Sequence, residues 1–158
     1  MPNVLIAYYS QGGNTERLAK LVADGVREGG IEPTVKPVAE VSSPELLEFD
    51  GIILGSPTYY GTMAAPVKRL LDESVQFHGR LDGKVGAAFT TSGNMAGGNE
   101  TTILDILHAL MIHGMVVQGD PRGDHYGAVA LGTATPREEE NARRQGLRFA
   151  KLVTRLEP

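Results

Sequence analysis

Apolar and polar positions along the chain alternate between two periods. Val4-Leu5-Ile6-Ala7-Tyr8-Tyr9 is an unbroken apolar run between polar residues, the pattern of a strand buried on both faces of a parallel sheet. From Thr15 to Glu28 the period changes: Leu18, Ala19, Val22 and Val26 recur on one helical face, and Gly29-Gly30 ends the helix. Glu32–Val38 reads as a second strand, less apolar and carrying Pro33 and Pro37, which suits a sheet edge. Ser43-Pro44-Glu45 starts a short helix, with serine as cap and proline at the first helical position. Gly51–Gly55 is the third strand, and Pro66–Glu73 a helix with Val67, Leu70 and Leu71 inward. Lys84–Thr90 is the fourth strand, Thr101–His113 a helix apolar on most sides and stopped by Gly114, and Met115–Val117 the fifth strand. A loop over Asp120–His125 leads to a short extended stretch around Ala128–Leu131. The last helix, Pro136–Leu156, spaces Glu139 with Arg143 and Glu140 with Arg144 for pairing four residues apart.

Alternation of this kind implies an α/β fold, a parallel sheet with helices on both faces. Right-handed crossovers leave two common strand orders, and five βα units in 158 residues favour a doubly wound five-stranded sheet of order 2-1-3-4-5. The length suits one domain, 1–158, with a core large enough to need no staples. The chain has no cysteine, which excludes disulfides, thiolate catalysis and cysteine-ligated metal centres and fits a reducing, cytoplasmic setting. Net charge is −4 without a basic tract, so nucleic acid is not an expected partner. Met1-Pro2-Asn3 leads straight into the first strand without the marks of a secretion signal, and no apolar run reaches the length of a membrane span. The 20 glycines are nearly double the usual share, and they cluster in three loops.

In an open α/β sheet, ligands bind outside the carboxyl ends of the strands at the switch point, where the loops after strands one, three and four meet. The first is Ser10-Gln11-Gly12-Gly13-Asn14-Thr15. Its amides and the helix N-terminus can surround an anion, and Ser10, Asn14 and Thr15 add side-chain donors. It holds no lysine or arginine, unlike a triphosphate loop, and lacks the glycine spacing and the acidic residue at the end of strand two of a dinucleotide turn. What remains is a neutral cradle for one terminal phosphate, or an ordinary helix cap. The second loop, Gly55-Ser56-Pro57-Thr58-Tyr59-Tyr60-Gly61-Thr62-Met63, sets two tyrosines between glycines and a proline. They present an aromatic plate to a planar ligand, or simply cover the sheet end. The third, Thr91-Ser92-Gly93-Asn94-Met95-Ala96-Gly97-Gly98-Asn99, has no aromatic residue. Beside a flat ring it can offer amides but no stacking lid, and it also reads as a flexible turn into the next helix.

The combination resembles a known family. Tyr8-Tyr9-Ser10-Gln11-Gly12-Gly13-Asn14-Thr15 resembles the phosphate loop of flavodoxins, and Gly55–Ala64 is similar to the flavin loop of WrbA-like NAD(P)H:quinone oxidoreductases. Gly97-Gly98-Asn99-Glu100-Thr101-Thr102, His113-Gly114-Met115-Val116-Val117 and Tyr126-Gly127-Ala128 look like that branch too, so the likeness spans nearly the whole chain. The resemblance implies a flavodoxin-like fold and FMN as cofactor. Ser10, Gln11, Gly12, Gly13, Asn14 and Thr15 would hold the phosphate, with Pro57, Thr58, Tyr59, Tyr60 and Gly61 on one side of the isoalloxazine and Thr91, Ser92, Gly93, Asn94 and Gly97 on the other. By the same resemblance His113 matches a histidine at the open face of the ring. The branch reduces quinones with NAD(P)H, and a homo-oligomer, dimer or tetramer, is implied with it. The stretch before Pro44 and the region after strand five are shorter here than in that branch.

Two functions compete. An FMN-dependent oxidoreductase would take NAD(P)H and a quinone or similar small acceptor in turn at the uncovered ring face, with the flavin supplying the chemistry. His113 would then be a catalytic residue bonding or protonating the acceptor, with Tyr126 at the same pocket; the plainer role is a histidine satisfying the end of its helix. A flavodoxin-type one-electron carrier would instead serve a redox protein partner through a strongly acidic face and aromatic shielding, which the mild charge and absent tryptophan do not favour. No residues have metal-ligand spacing. His108 is expected in the core or at an interface, and Asp120–Asp124 as a solvated turn.

Overall fold

The computed structural model describes residues 1–157. Strand β1 (Val4–Tyr8), buried at every position, pairs in parallel with β2 (Thr34–Pro37) and with β3 (Gly51–Tyr59). β3 pairs in parallel with β5 (Val85–Ser92). On the far side of β5 lie β6 (Val116–Val117) and β7 (Val129–Leu131), both parallel to it. The order β2-β1-β3-β5-β6 is the expected 2-1-3-4-5 order once the hairpin strand β4 (Thr62–Met63) is set aside. β2, half-exposed and bearing proline, takes the edge, where a missing amide costs no ladder bond.

Two features of the sheet depart from the sequence reading. β3 runs past Gly55 to Tyr59 and folds back through β4, with Tyr59 opposite Thr62. The two residues between, Tyr60 (φ 50°) and Gly61 (φ 79°), both have the positive φ that a tight two-residue hairpin demands. The stretch expected at Ala128–Leu131 is the second half of the fifth strand. β6 pairs with Val85 and Gly86, β7 with Thr90 to Ser92, and residues 118–128 loop out between. The Gln145 side chain fills the gap, accepting from the Ala128 amide at 3.1 Å and donating to the Ala88 carbonyl at 2.8 Å. Gly127 lies so close that a Cβ there would sit 2.0 Å from that carbonyl oxygen.

Helices cover both faces. On one, α1 (Asn14–Glu28) and α4 (Pro136–Leu156) pack backbone to backbone through glycine: a Cβ on Gly25 would lie 1.9 Å from the Arg143 carbonyl oxygen, and one on Gly146 2.0 Å from that of Val22. Their apolar faces meet Ile6, Ile53 and Phe89 of the sheet. On the other, α2 (Ala65–Glu73) and α3 (Asn99–Ile112) cover Leu5, Ile52, Leu54 and Ala88. Arg144 does not pair with Glu140 as its spacing suggested. It forms two hydrogen bonds to Asp120, at 2.7 and 3.1 Å, and among the described residues no ion pair joins Glu139 to Arg143. Asp120 is therefore the anchor of the 118–128 loop, not part of a solvated turn. His108 is exposed, outside the core in which it was expected as one alternative. Among the described residues no helix is long and apolar enough to cross a membrane.

Candidate functional site

Because β1, β3 and β5 are neighbours, their C-terminal ends open side by side, with Tyr8 level with Gly55 and Pro57 level with Thr91. The loops that follow are stitched together by side chains. The Thr15 and Thr91 hydroxyls are 2.8 Å apart and buried, joining the first loop to the third. The Tyr59 hydroxyl donates to Gln11 Oε1 at 2.9 Å, joining the second to the first. Thr101 donates to the Gly61 carbonyl at 2.6 Å, and Gly98 presses so near Gly61 that a Cβ would lie 2.6 Å from its Cα.

In the first loop Gly13, at φ 95°, turns the chain into α1, and its amide donates to Ser10 Oγ at 3.1 Å. No side chain caps α1, and its ladder begins with the Arg17 amide on the Gly13 carbonyl. The amides of Asn14, Thr15 and Glu16 come before that bond and point out of the helix end. By contrast, α4 is closed by a capping box between Thr135 and Glu138. Gly12 has open space where a side chain would be. One cation was missed in the sequence: the Arg17 guanidinium folds back one turn to Asn14 Oδ1 (3.2 Å) and reaches Thr133 Oγ1 (3.4 Å), beside Gly13. The signal was its position three residues after Asn14, where a helix brings side chains together.

In the second loop the two tyrosines part company. Tyr59 packs edge-on to Tyr9, with ring centres 6.3 Å apart, and burial followed by Tyr9 itself pushes its phenol up. Tyr60 is fully exposed, on backbone that costs a residue with a Cβ roughly 1–2 kcal/mol. Pro57 is half-buried, and Thr58 meets the Thr90 hydroxyl at 2.9 Å. In the third loop Thr91 and Ser92 are buried, Gly93 and Asn94 are exposed, and Met95 projects into solvent. Gly97 packs back on Asn94.

Of the residues read from the sequence as candidates, Ser10 to Thr15, Pro57 to Gly61, Thr91 to Asn94 and Gly97 stand at this one end of the sheet. His113 does not. It caps α3 at its other end, and α3 runs 14 residues back from the third loop, about 20 Å at 1.5 Å per residue. There Gly114 accepts from the Gly83 amide, before β5 begins. Within one chain His113 is thus separated from the loops. Tyr126 is on the looped-out segment 118–128, lining a cavity of about 210 Å³ with Met95 and Asn99, so it belongs beside the third loop and not with His113.

A model of the family described as NADPH-dependent FMN reductase matches residues 36–123. The chain belongs to this family. It is 41% identical to a flavodoxin of Clostridium saccharobutylicum over 160 residues, covering 97% of this chain and 98% of that one. It is 35% identical to an NAD(P)H dehydrogenase (quinone) of Archaeoglobus fulgidus over 190 aligned positions, covering 99% and 100%. Among solved structures it is similar to the WrbA-like flavodoxin of Agrobacterium tumefaciens, with a TM-score of 0.83, 25% identity and 99% and 100% of the two chains covered. For a chain of the FMN reductase family the loops fit the cofactor on observations of their own. The N-terminal end of α1 has no side-chain cap and so leaves amides that an anion could accept from, Arg17 adds a single positive charge beside it, and the Tyr60 ring is fully exposed.

Proposed function

We propose that this chain holds one FMN across the three loops and uses it as an NAD(P)H-dependent reductase of quinones or similar small acceptors. The uncapped N-terminus of α1 carries the reading. Among the described residues the amides of Asn14, Thr15 and Glu16 have no acceptor and the Thr15 hydroxyl meets only that of Thr91, so a phosphomonoester at this helix end would supply what they lack. Ser10, Gly12, Gly13 and Asn14 shape that cradle, and Arg17 balances part of the charge. Pro57 to Gly61 would border the ring on one side, with Tyr60 as its stacking face. Thr91 to Asn94 and Gly97 would border it on the other and leave it uncovered, since that loop carries no aromatic side chain. Bound FMN supplies the two-electron chemistry. The protein's part is to hold the ring with one face open to donor and acceptor in turn. His113 lies outside this arrangement in one chain, and no proton step is assigned to it.

The carrier reading has its own support. The clostridial flavodoxin matches nearly end to end, whereas the quinone dehydrogenase alignment spans 190 positions against 158 residues here, so that relative has segments this chain lacks. The FMN-loaded protein is mixed with NADH or NADPH and benzoquinone, and the nicotinamide absorbance is followed. Catalytic loss of that band supports the reductase. No loss, with rapid electron passage to a redox protein, supports the carrier. Absence of saturable FMN binding refutes both.

A further inference from the structure

The loop 118–128 leaves the sheet between β6 and β7 and carries Tyr126, and one residue ties it down. Every polar group of Asp120 is engaged. Its carboxylate takes the two bonds from Arg144, and Oδ1 also accepts from the Arg122 amide at 2.9 Å. Arg148 stands 3.6 Å from Oδ2 and donates to the neighbouring Gly119 carbonyl at 2.8 Å. The Asp120 amide donates to the His125 carbonyl at 3.0 Å, and the Asp120 carbonyl accepts from His125 Nδ1 at 2.7 Å. Asp120 thus closes the loop on itself across residues 120–125 and fastens it to α4 at the same point. These bonds are sheltered, with the Asp120 side chain 16% exposed and that of Arg144 23%, so they hold better than a surface pair. Between the fastened ends the chain turns through Gly123 (φ 126°) and Asp124 (φ 44°), and an L-residue keeps the second conformation only where its surroundings hold it.

What the loop holds in place is one wall of the 210 Å³ cavity. Tyr126 lines it from the loop and Met95 from the third loop, with Ile103, Val129 and Leu131 as apolar lining. β7, which supplies Val129 and Leu131, pairs with Thr90 to Ser92, where β5 runs into the third loop, so the cavity adjoins the loop that would border the flavin. A space of this size and lining admits a molecule of one or two rings and not a dinucleotide. Tyr126 is 46% exposed, and among the described residues its hydroxyl has no hydrogen bond. Its place therefore follows from the loop beneath it, and the place of the loop follows from Asp120.

We propose that Asp120 is a positioning residue for the electron acceptor: it holds the 118–128 loop so that Tyr126 walls the cavity in which a small planar acceptor lies. Asp120 touches no ligand and acts through Tyr126. The identity of the ligand as an acceptor rests on the reductase reading, whereas the cavity and its fastening to α4 do not depend on it.

The test uses the full chain loaded with FMN and two readouts: steady-state reduction of benzoquinone by NADPH, and calorimetric binding of quinoxaline, a planar two-ring probe, without NADPH. Asp120→Ala is expected to raise the KM for benzoquinone and the Kd for quinoxaline by about fivefold or more, with kcat at saturation within about twofold and FMN content at one per chain. Arg144→Gln keeps the carboxylate and removes its two bonds; it should have the same effect, and it decides the matter if Asp120→Ala fails to fold. Tyr126→Ala should reproduce the loss, and adding Asp120→Ala to it should cost nothing more, the mark of two residues acting as one. No turnover of benzoquinone would refute the reductase reading, and the quinoxaline losses alone would then uphold or overturn the role of Asp120. No saturable quinoxaline binding by the parent chain would overturn the proposal. So would losses that add between Asp120→Ala and Tyr126→Ala, or a fall in kcat and FMN content with KM unchanged.

Discussion

Replacing Thr15 by valine removes one hydroxyl and keeps the shape of the side chain, so its effect can be worked from the contacts. Thr15 is 2% exposed, and its hydroxyl lies 2.8 Å from that of Thr91, itself 6% exposed. In the apoprotein the valine leaves Thr91 without this partner, a loss of about 1–3 kcal/mol for a buried hydroxyl left unsatisfied. In the proposed FMN complex the same hydroxyl would donate to the phosphate while accepting from Thr91. A hydrogen bond to a charged group is worth about 1.5–3 kcal/mol, which is roughly a tenfold to hundredfold rise in the dissociation constant. Thr91→Val separates the two effects. It breaks the same contact and should lower apoprotein stability by a similar amount, yet it leaves the Thr15 donor in place, so FMN should weaken by no more than about threefold. Urea unfolding of the apoproteins gives the first quantity, and quenching of flavin fluorescence on binding gives the second. FMN affinity unchanged in Thr15→Val would refute the cradle. Equal losses in both variants would mean that the loop-to-loop contact, not the phosphate donor, is what FMN needs.

Three further outcomes are expected. Gly146→Ala places a Cβ 2.0 Å from the Val22 carbonyl and should destabilise the fold by about 1–3 kcal/mol, read as a lower urea midpoint with an unchanged slope. Tyr60→Asn should raise apoprotein stability by about 1 kcal/mol, because asparagine tolerates positive φ and the tyrosine ring packs on nothing, while FMN binding weakens; a stable variant with unchanged affinity would remove Tyr60 from the site. Acid should release the 118–128 loop. Burial pushes the Asp120 carboxyl up, but hydrogen bonds from Arg144 and the Arg122 amide, with the charges of Arg144 and Arg148, outweigh it and hold the carboxyl below its ordinary 3.8. The stabilisation is complete above that ordinary value and is lost as pH falls through the lowered one, so Asp120→Asn should abolish the acid dependence of hydrogen exchange in the loop.

The strand order, the last helix and the three loops were legible because each rests on local pattern: unbroken apolar runs for strands buried on both faces, a 3.6-residue stripe for helices, and glycine with small hydroxyl residues between them. What was not legible depends on tertiary partners. Nothing in Val129-Ala130-Leu131 says that it rejoins the edge left by Val116-Val117. That follows from Gln145 on α4 bridging the interruption, and from the bare backbone of Gly127. The i to i+4 spacing of Glu140 and Arg144 is a real opportunity, but an exposed helical pair is worth only about 0.3–0.5 kcal/mol, and a two-pronged, largely buried bond to Asp120 outcompetes it. The second loop contains the hairpin because its turn needs positive φ at both central residues. Gly61 announces that and Tyr60 does not.

Within one chain His113 stands away from the three loops for a geometrical reason that is general. A motif groups residues by their distance along the chain, whereas a helix converts that distance into a translation. Asn99 begins α3 beside the third loop, and every residue after it moves about 1.5 Å further from the carboxyl ends of the strands. A residue at the close of such a crossover helix always emerges at the amino ends of a parallel sheet, because the next strand must start there. His113 therefore has two neighbourhoods available to it: the foot of its own sheet, where Ser74 and His78 surround it, and whatever an assembly brings to that foot. The Ser74 bond satisfies only one of its ring nitrogens. The other, Nδ1, is buried and has no hydrogen-bond partner among the described residues.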